Sequence, residues 1–371
     1  MGWLASLIER KNKAIEELRA LVGEEGFVRA KSDHHSRRKP RPCGMTIHTG
    51  LGCTNACLYC YAIDMGFPRI DAPYKLKPAE LALAIALNPY VVPERTFAAF
   101  GSVVEPFLPN TAAYTIECMK LIRRYLSLPC QVSTKMVLSH EIASRLASCD
   151  EELSVLVTIV TMKRHSVLEP RAPPPTERLE GARIAIEHGL RVTLFLRPLI
   201  PGIIEEEYRE LLERAWSAGI RSVVLGSLRI TKGVLERLSR AGIDVSKIVS
   251  RAPRLPRSAR EQITISCGDI KRMVEKYAAS LGFTVFESAC QANVWSHEQY
   301  CAACSYGPCG DYSKEPRIRE SDVNELLELL GSRAKCEIVD RVKVVISGTI
   351  EERKLEILKQ ATRRKVVVSS R

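Results

Sequence analysis

At 371 residues, nearly half of them apolar, the chain can bury a sizeable core and suits one large domain with appendages. No apolar run approaches the ~20 residues that cross a bilayer, and the N-terminus lacks the basic, apolar and cleavage regions of a secretory signal. The net charge of +12 makes nucleic acid a partner to weigh against a merely solvated basic surface.

Met1-Gly2-Trp3-Leu4-Ala5-Ser6 fits a myristoylation pattern, but so short a pattern arises easily by chance. Helical periodicity over 3–22 predicts an amphipathic helix with Leu4, Leu7, Ile8, Ile15, Leu18 and Leu21 as its apolar stripe. A basic linker follows, with six Lys/Arg against one acid between Arg29 and Arg41, so that 1–42 reads as an N-terminal extension. From residue 43 to about 250, β-branched runs alternate with helical patterns. Strands are expected at Met45–His48, Thr96–Phe100, Cys130–Thr134, Leu153–Thr161, Val192–Arg197 and Ser222–Leu225. Helices are expected near 78–87, 110–127, 139–148, 174–188 and 204–218. Six such units predict an α/β fold, a partial (β/α)6 barrel open on one side, with a doubly wound sheet as the alternative. A cysteine-rich segment within 251–315 follows. Residues 316–371 read as a small basic α/β cap: helix 322–331, strand 336–347, helix 350–361 and strand 364–369.

Thirteen cysteines in a chain without a secretory signal argue for metal rather than disulfides, and for a reducing cytoplasm. Cys53, Cys57 and Cys60 have Cys-x3-Cys-x2-Cys spacing directly after the first expected strand. Thiolates suit iron–sulfur cubanes, and three of them leave one of four irons open to an exogenous chelating group. Cys43 is a candidate fourth ligand, although it adjoins the proline-bearing linker. Half of a zinc site is the competing reading, but zinc usually takes paired Cys/His couples.

The triplet, with Tyr59 before its third cysteine, resembles the signature of radical S-adenosylmethionine (SAM) enzymes. Cys57-Leu58-Tyr59-Cys60-Tyr61-Ala62, Gly101-Ser102-Val103-Val104-Glu105-Pro106, Ser133-Thr134-Lys135, Leu168-Glu169-Pro170-Arg171-Ala172-Pro173 with Glu177-Arg178-Leu179, and Arg197-Pro198-Leu199-Ile200-Pro201-Gly202 are similar, in order, to motifs of the spore photoproduct lyase-like branch. The resemblance covers roughly residues 45–230. It implies a [4Fe-4S] cluster on Cys53, Cys57 and Cys60 that cleaves SAM to a 5′-deoxyadenosyl radical, with the electron coming from an external ferredoxin- or flavodoxin-type reductant. It also implies SAM contacts from Tyr59, Gly101, Ser102 and Glu105. Lys135, Thr158, Arg171 and Arg197 are further candidates, Arg171 as a fork for the SAM carboxylate. Thr161 is a weaker candidate beside Thr158.

Cys290, Cys301, Cys304 and Cys309 form a second group, able to close an auxiliary iron–sulfur cluster or a zinc site, or to remain unligated, with His297 as a substitute ligand. Cys118, Cys130, Cys149, Cys267 and Cys336 show no metal spacing, and none matches the hydrogen-donor cysteine of spore photoproduct lyases. A radical SAM enzyme acting on nucleic acid, by repair or modification, is the leading expectation. A peptide- or protein-modifying enzyme with an auxiliary cluster, and a non-enzymatic metal-stabilised nucleic-acid-binding protein, are the alternatives. The open triplet speaks against the last.

Overall fold

The computed structural model describes residues 2–41 and 44–369. Pro42 and Cys43 therefore lie outside the described residues. Seven strands form one sheet: β1 (Met45–Ile47), β2 (Ala98–Phe100), β3 (Cys130–Thr134), β4 (Ser154–Thr158), β5 (Arg191–Leu199), β6 (Ser222–Ser227) and β7 (Thr284–Phe286). They lie in strictly sequential order and every neighbouring pair is parallel. A doubly wound sheet must reverse its order at a switch point, so this sheet is wound in one direction, as a partial barrel is. Helices Pro78–Leu87, Ala112–Leu126, His140–Cys149, Pro175–Glu187 and Ile204–Ser217 make the crossovers close to where periodicity puts them. The seventh strand was not expected from sequence. It has three residues, of which only Phe286 is fully buried, too few to register as alternation.

The barrel interior is stoppered from one end by helix Ala289–Ser296. Ala292 packs with Leu156, Val224 and Phe286, and the Ala289 carbonyl accepts from Gln131 Nε2 at 2.7 Å. His297, read from sequence as a substitute metal ligand, has its Nε2 3.1 Å from Asp150, with Arg123 on that carboxylate's other oxygen.

The N-terminal helix Trp3–Ser32 breaks at Gly23, whose φ of 70° favours glycine, so its first segment ends where the sequence pattern does. Leu4 and Leu7 join a second core with Leu326, Val344, Ile346 and Leu358, while Ala14 and Leu18 join the barrel core. One helix thus links barrel and cap. Leu21, expected on its apolar stripe, is exposed, and Lys11 holds a stripe position instead. Lys11 is buried because its Nζ donates to the carbonyls of Asn88 and Val91, just beyond the end of helix Pro78–Leu87. In the cap, the single strand expected over 336–347 is a hairpin of Lys335–Val339 and Lys343–Ser347. Asp340 turns the chain by accepting from the backbone N–H groups of Val342 and Lys343.

Burial pushes the Lys11 ammonium down from 10.5 to about 7. Between those values the unfolded chain binds the proton that the folded one has lost, so this residue's contribution to stability rises with pH across that window. Urea melts should show wild type gaining stability relative to Lys11→Met as pH rises from 7 to 10; a pH-independent difference would refute the assignment.

Candidate functional site

The loop after β1 carries Cys53, Cys57 and Cys60, and none of the three is in a disulfide. They line, together with residues at the carboxyl-terminal ends of β2 to β6, a cavity of about 320 Å³. That size falls within the usual range for a small-ligand site. Tyr59, Gly101, Ser102, Glu105, Lys135, Thr158 and Arg197, all candidates from sequence, line it. So do Arg41, Asn55, Gln131 and Arg229, which sequence reasoning passed over. Arg41 lay hidden in the basic linker, whose charge alone gives no direction. Arg171 is exposed and lies outside the lining, and Thr161 turns its hydroxyl to Glu207 at 2.7 Å.

The cluster loop is held from below. Tyr59 is buried and its hydroxyl donates to Glu169. The other Glu169 oxygen lies 2.6 Å from Arg178 Nη1, and both side chains are fully buried. The contact is an ion pair without hydrogen-bond geometry, since Glu169 Oε2 and Arg178 Nη2 lack a hydrogen-bond partner among the described residues. Arg178 also donates to the carbonyls of Pro173 and Thr158. The Glu-Pro-Arg…Glu-Arg-Leu stretch thus contributes Glu169 and Arg178 as a brace beneath the loop. From the other side Arg237 donates to the carbonyls of Leu58 and Cys60 and pairs with Asp64 at 2.8 Å.

Two glycines make room at the mouth. Gly101 sits at φ +79° with Ser133 O 2.1 Å from where a Cβ would be, and Gly226 gives the same room to the stem of Arg197. Glu105 accepts from Thr134 Oγ1 at 2.6 Å and from Lys135 N at 2.8 Å, while burial raises its carboxyl above the ordinary range. Lys135 Nζ lies 5.6 Å from the Tyr59 ring centre. Burial, the largest single influence, works against its charge, but the neighbouring Cys57, Glu169 and Glu105 together raise its pKa. Burial also pushes the Cys57 thiol up to about 12 and raises Cys53. Soft thiols on one loop beside a cavity fit an iron–sulfur cluster, and loading it must release their protons.

The second cysteine group is divided. Cys290 lines the main cavity. Cys301 and Cys309 face each other across a two-residue ladder and pack with Phe97 and Val294. Cys304 lies in the intervening turn, near enough to both to raise their pKa values behind the larger effect of burial.

Residues 47–215 match the model of the Radical SAM superfamily. The uncharacterized protein ORF301 of Acidianus two-tailed virus is 28% identical over 186 residues, covering 46% of this chain and 61% of its own length. The chain therefore matches about three-fifths of that relative. A spore photoproduct lyase variant with bound AdoMet and dinucleoside spore photoproduct superposes with a TM-score of 0.57 at 15% identity, over 69% of this chain and 81% of the other. Spore photoproduct lyase complexed with the dinucleoside spore photoproduct gives 0.53 at 14%, over 68% and 79%. At that identity the likeness establishes the shared fold.

Removing one partner of the buried Glu169–Arg178 pair leaves an uncompensated charge. Arg178→Met should lower stability by about 3–5 kcal/mol in urea melts and reduce iron retention; unchanged values for both would dismiss the brace.

Proposed function

We propose that this chain, an enzyme of the radical SAM superfamily through its domain at 47–215, repairs or modifies nucleic acid by hydrogen abstraction. The observation that carries the reading is the lining of the cavity beside the cysteine loop. Arg41, Lys135, Arg197 and Arg229 meet there against the single carboxylate of Glu105. So cationic a wall favours a ligand and substrate that bring carboxylate and phosphate.

Cys53, Cys57 and Cys60 would hold a [4Fe-4S] cluster, which when bound supplies the electron that cleaves SAM to methionine and a 5′-deoxyadenosyl radical. An external one-electron reductant of ferredoxin or flavodoxin type replenishes that electron. The chain's own residues bind and orient. Arg197, in the cavity lining, would engage a carboxylate through its guanidinium. Glu105, its oxygens already oriented by Thr134 and Lys135 N, offers lone pairs to an ammonium. Gly101 lets the β2 turn approach closely, and Thr158 at the end of β4 faces the cavity for a ribose hydroxyl. Helix Ala289–Ser296 packs into the far end of the barrel, where Ala292 meets Leu156, Val224 and Phe286, and would shield the site from water on that side.

Cys301, Cys304 and Cys309 support a second metal site, iron–sulfur or zinc, in the C-terminal segment. The peptide-modifying alternative leaned on four thiols closing one auxiliary cluster, and Cys290's place in the main cavity weakens it.

Reconstituted protein with dithionite should make 5′-deoxyadenosine, and Cys53/Cys57/Cys60→Ala should make none. Single-stranded oligonucleotide should bind with steep salt dependence, flattened by about one charge in Arg41→Gln. SAM cleavage with no oligonucleotide binding at low salt would retire the nucleic-acid substrate and keep the radical enzyme; no cleavage at all would retire both.

A further inference from the structure

Behind the cysteine loop, outside the cavity, three histidines converge. His34 and His35 come from the short turn that ends the N-terminal segment, and His48 directly follows β1, five residues before Cys53. One ring nitrogen of each lies within 4.8 Å of those of the other two. The ring centres of His34 and His35 are each 5.5 Å from that of His48. Three nitrogens around a tetrahedral zinc at 2.0–2.1 Å stand roughly 3.4 Å apart, so a small inward shift closes the set. His34, 41% exposed at the rim, has the freedom to make it.

Two features go beyond mere proximity. His48 Nε2 is buried with no hydrogen-bond partner among the described residues, an arrangement that ordinary core packing avoids. The other two rings are oriented as ligating histidines are. Asp33 Oδ1 holds His35 Nδ1 at 2.8 Å, and Tyr74 Oη contacts both Asp33 Oδ2 at 2.8 Å and His34 Nδ1 at 3.1 Å. A carboxylate on the far ring nitrogen is the usual outer support of a ligating imidazole, fixing its tautomer and raising its basicity. His35 Nε2 now accepts a weak 3.2 Å bond from the His48 backbone N–H, which a coordinate bond would replace. Asn88 Nδ2 fixes the turn itself through the carbonyls of His35 and Arg38.

We propose that His34, His35 and His48 bind a zinc-class divalent cation that staples the N-terminal segment to the strand launching the cysteine loop. Imidazole sets of this kind suit zinc, and three protein ligands leave a fourth position for water at the His34 rim. Arg38 and Lys75 nearby oppose a cation, and the buried Asp33 carboxylate offsets part of that opposition. The site is independent of the nucleic-acid reading.

Zinc sulfate titrated into the anaerobically reconstituted protein, followed by zinc K-edge absorption spectroscopy, tests the assignment. The expected result is about one zinc per chain with an imidazole nitrogen shell and a rise in melting temperature. Binding should weaken at least tenfold in His34→Gln and in His48→Gln, with iron content unchanged. His34→Gln, at the rim, decides the matter if His48→Gln fails to fold. A sulfur shell with no imidazole nitrogen would put all the zinc on cysteines and overturn the proposal, as would an imidazole nitrogen shell retained in His34→Gln or no zinc bound by wild type.

Discussion

A single buried ion pair organises the site. Glu169 and Arg178 have no exposed surface, so each charge is tolerable only because of the other and of the groups they grip. Those groups are Tyr59 of the cysteine loop and the carbonyls of Pro173 and Thr158. Through them the loop, the end of β4 and the segment leading into helix Pro175–Glu187 are fixed against one another. Leu58 N, donating to Leu168 O at 2.9 Å, adds a backbone tie along the same seam. The thiols can hold a defined spacing because the backbone between them is pinned from beneath by this pair and from the flank by Arg237.

The parallel sheet supplies the other constraint. Sequential winding puts the carboxyl-terminal ends of all strands on one side, so residues far apart in sequence, from Cys53 to Arg229, reach one cavity. Chain beyond the sixth unit then closes the opposite end with helix Ala289–Ser296, and the N-terminal helix joins barrel to cap. The additions at both termini are thus built into the cores rather than hung upon them.

Much of this was legible in the residues. The period switch between β-branched runs and helical stripes located six strands and five crossover helices, because parallel strands buried on both faces read as continuous apolar runs. The cysteine spacing and the turn after β2 marked the cavity. What stayed illegible depended on partners distant in sequence. Lys11 was not among the expected stripe residues, and its burial depends on the distant carbonyls of Asn88 and Val91. Arg171 looked like the functional arginine of its stretch, whereas Glu169 and Arg178 form the brace and Arg171 is exposed. Cys290 shared a spacing pattern with three cysteines but sits at the head of the stoppering helix, in the main cavity. The His34-His35 pair was submerged in a run of basic residues, and only the return of β1 brings His48 beside it.

The central claim is that Cys53, Cys57 and Cys60 leave one iron open for SAM. Electron paramagnetic resonance of the reduced, reconstituted protein, recorded before and after adding SAM, addresses it most directly. The account predicts a cluster signal whose g-values shift when SAM is added, with the shifting component absent from Cys57→Ala. A signal indifferent to SAM, or a SAM-dependent shift that persists in Cys57→Ala, would contradict it.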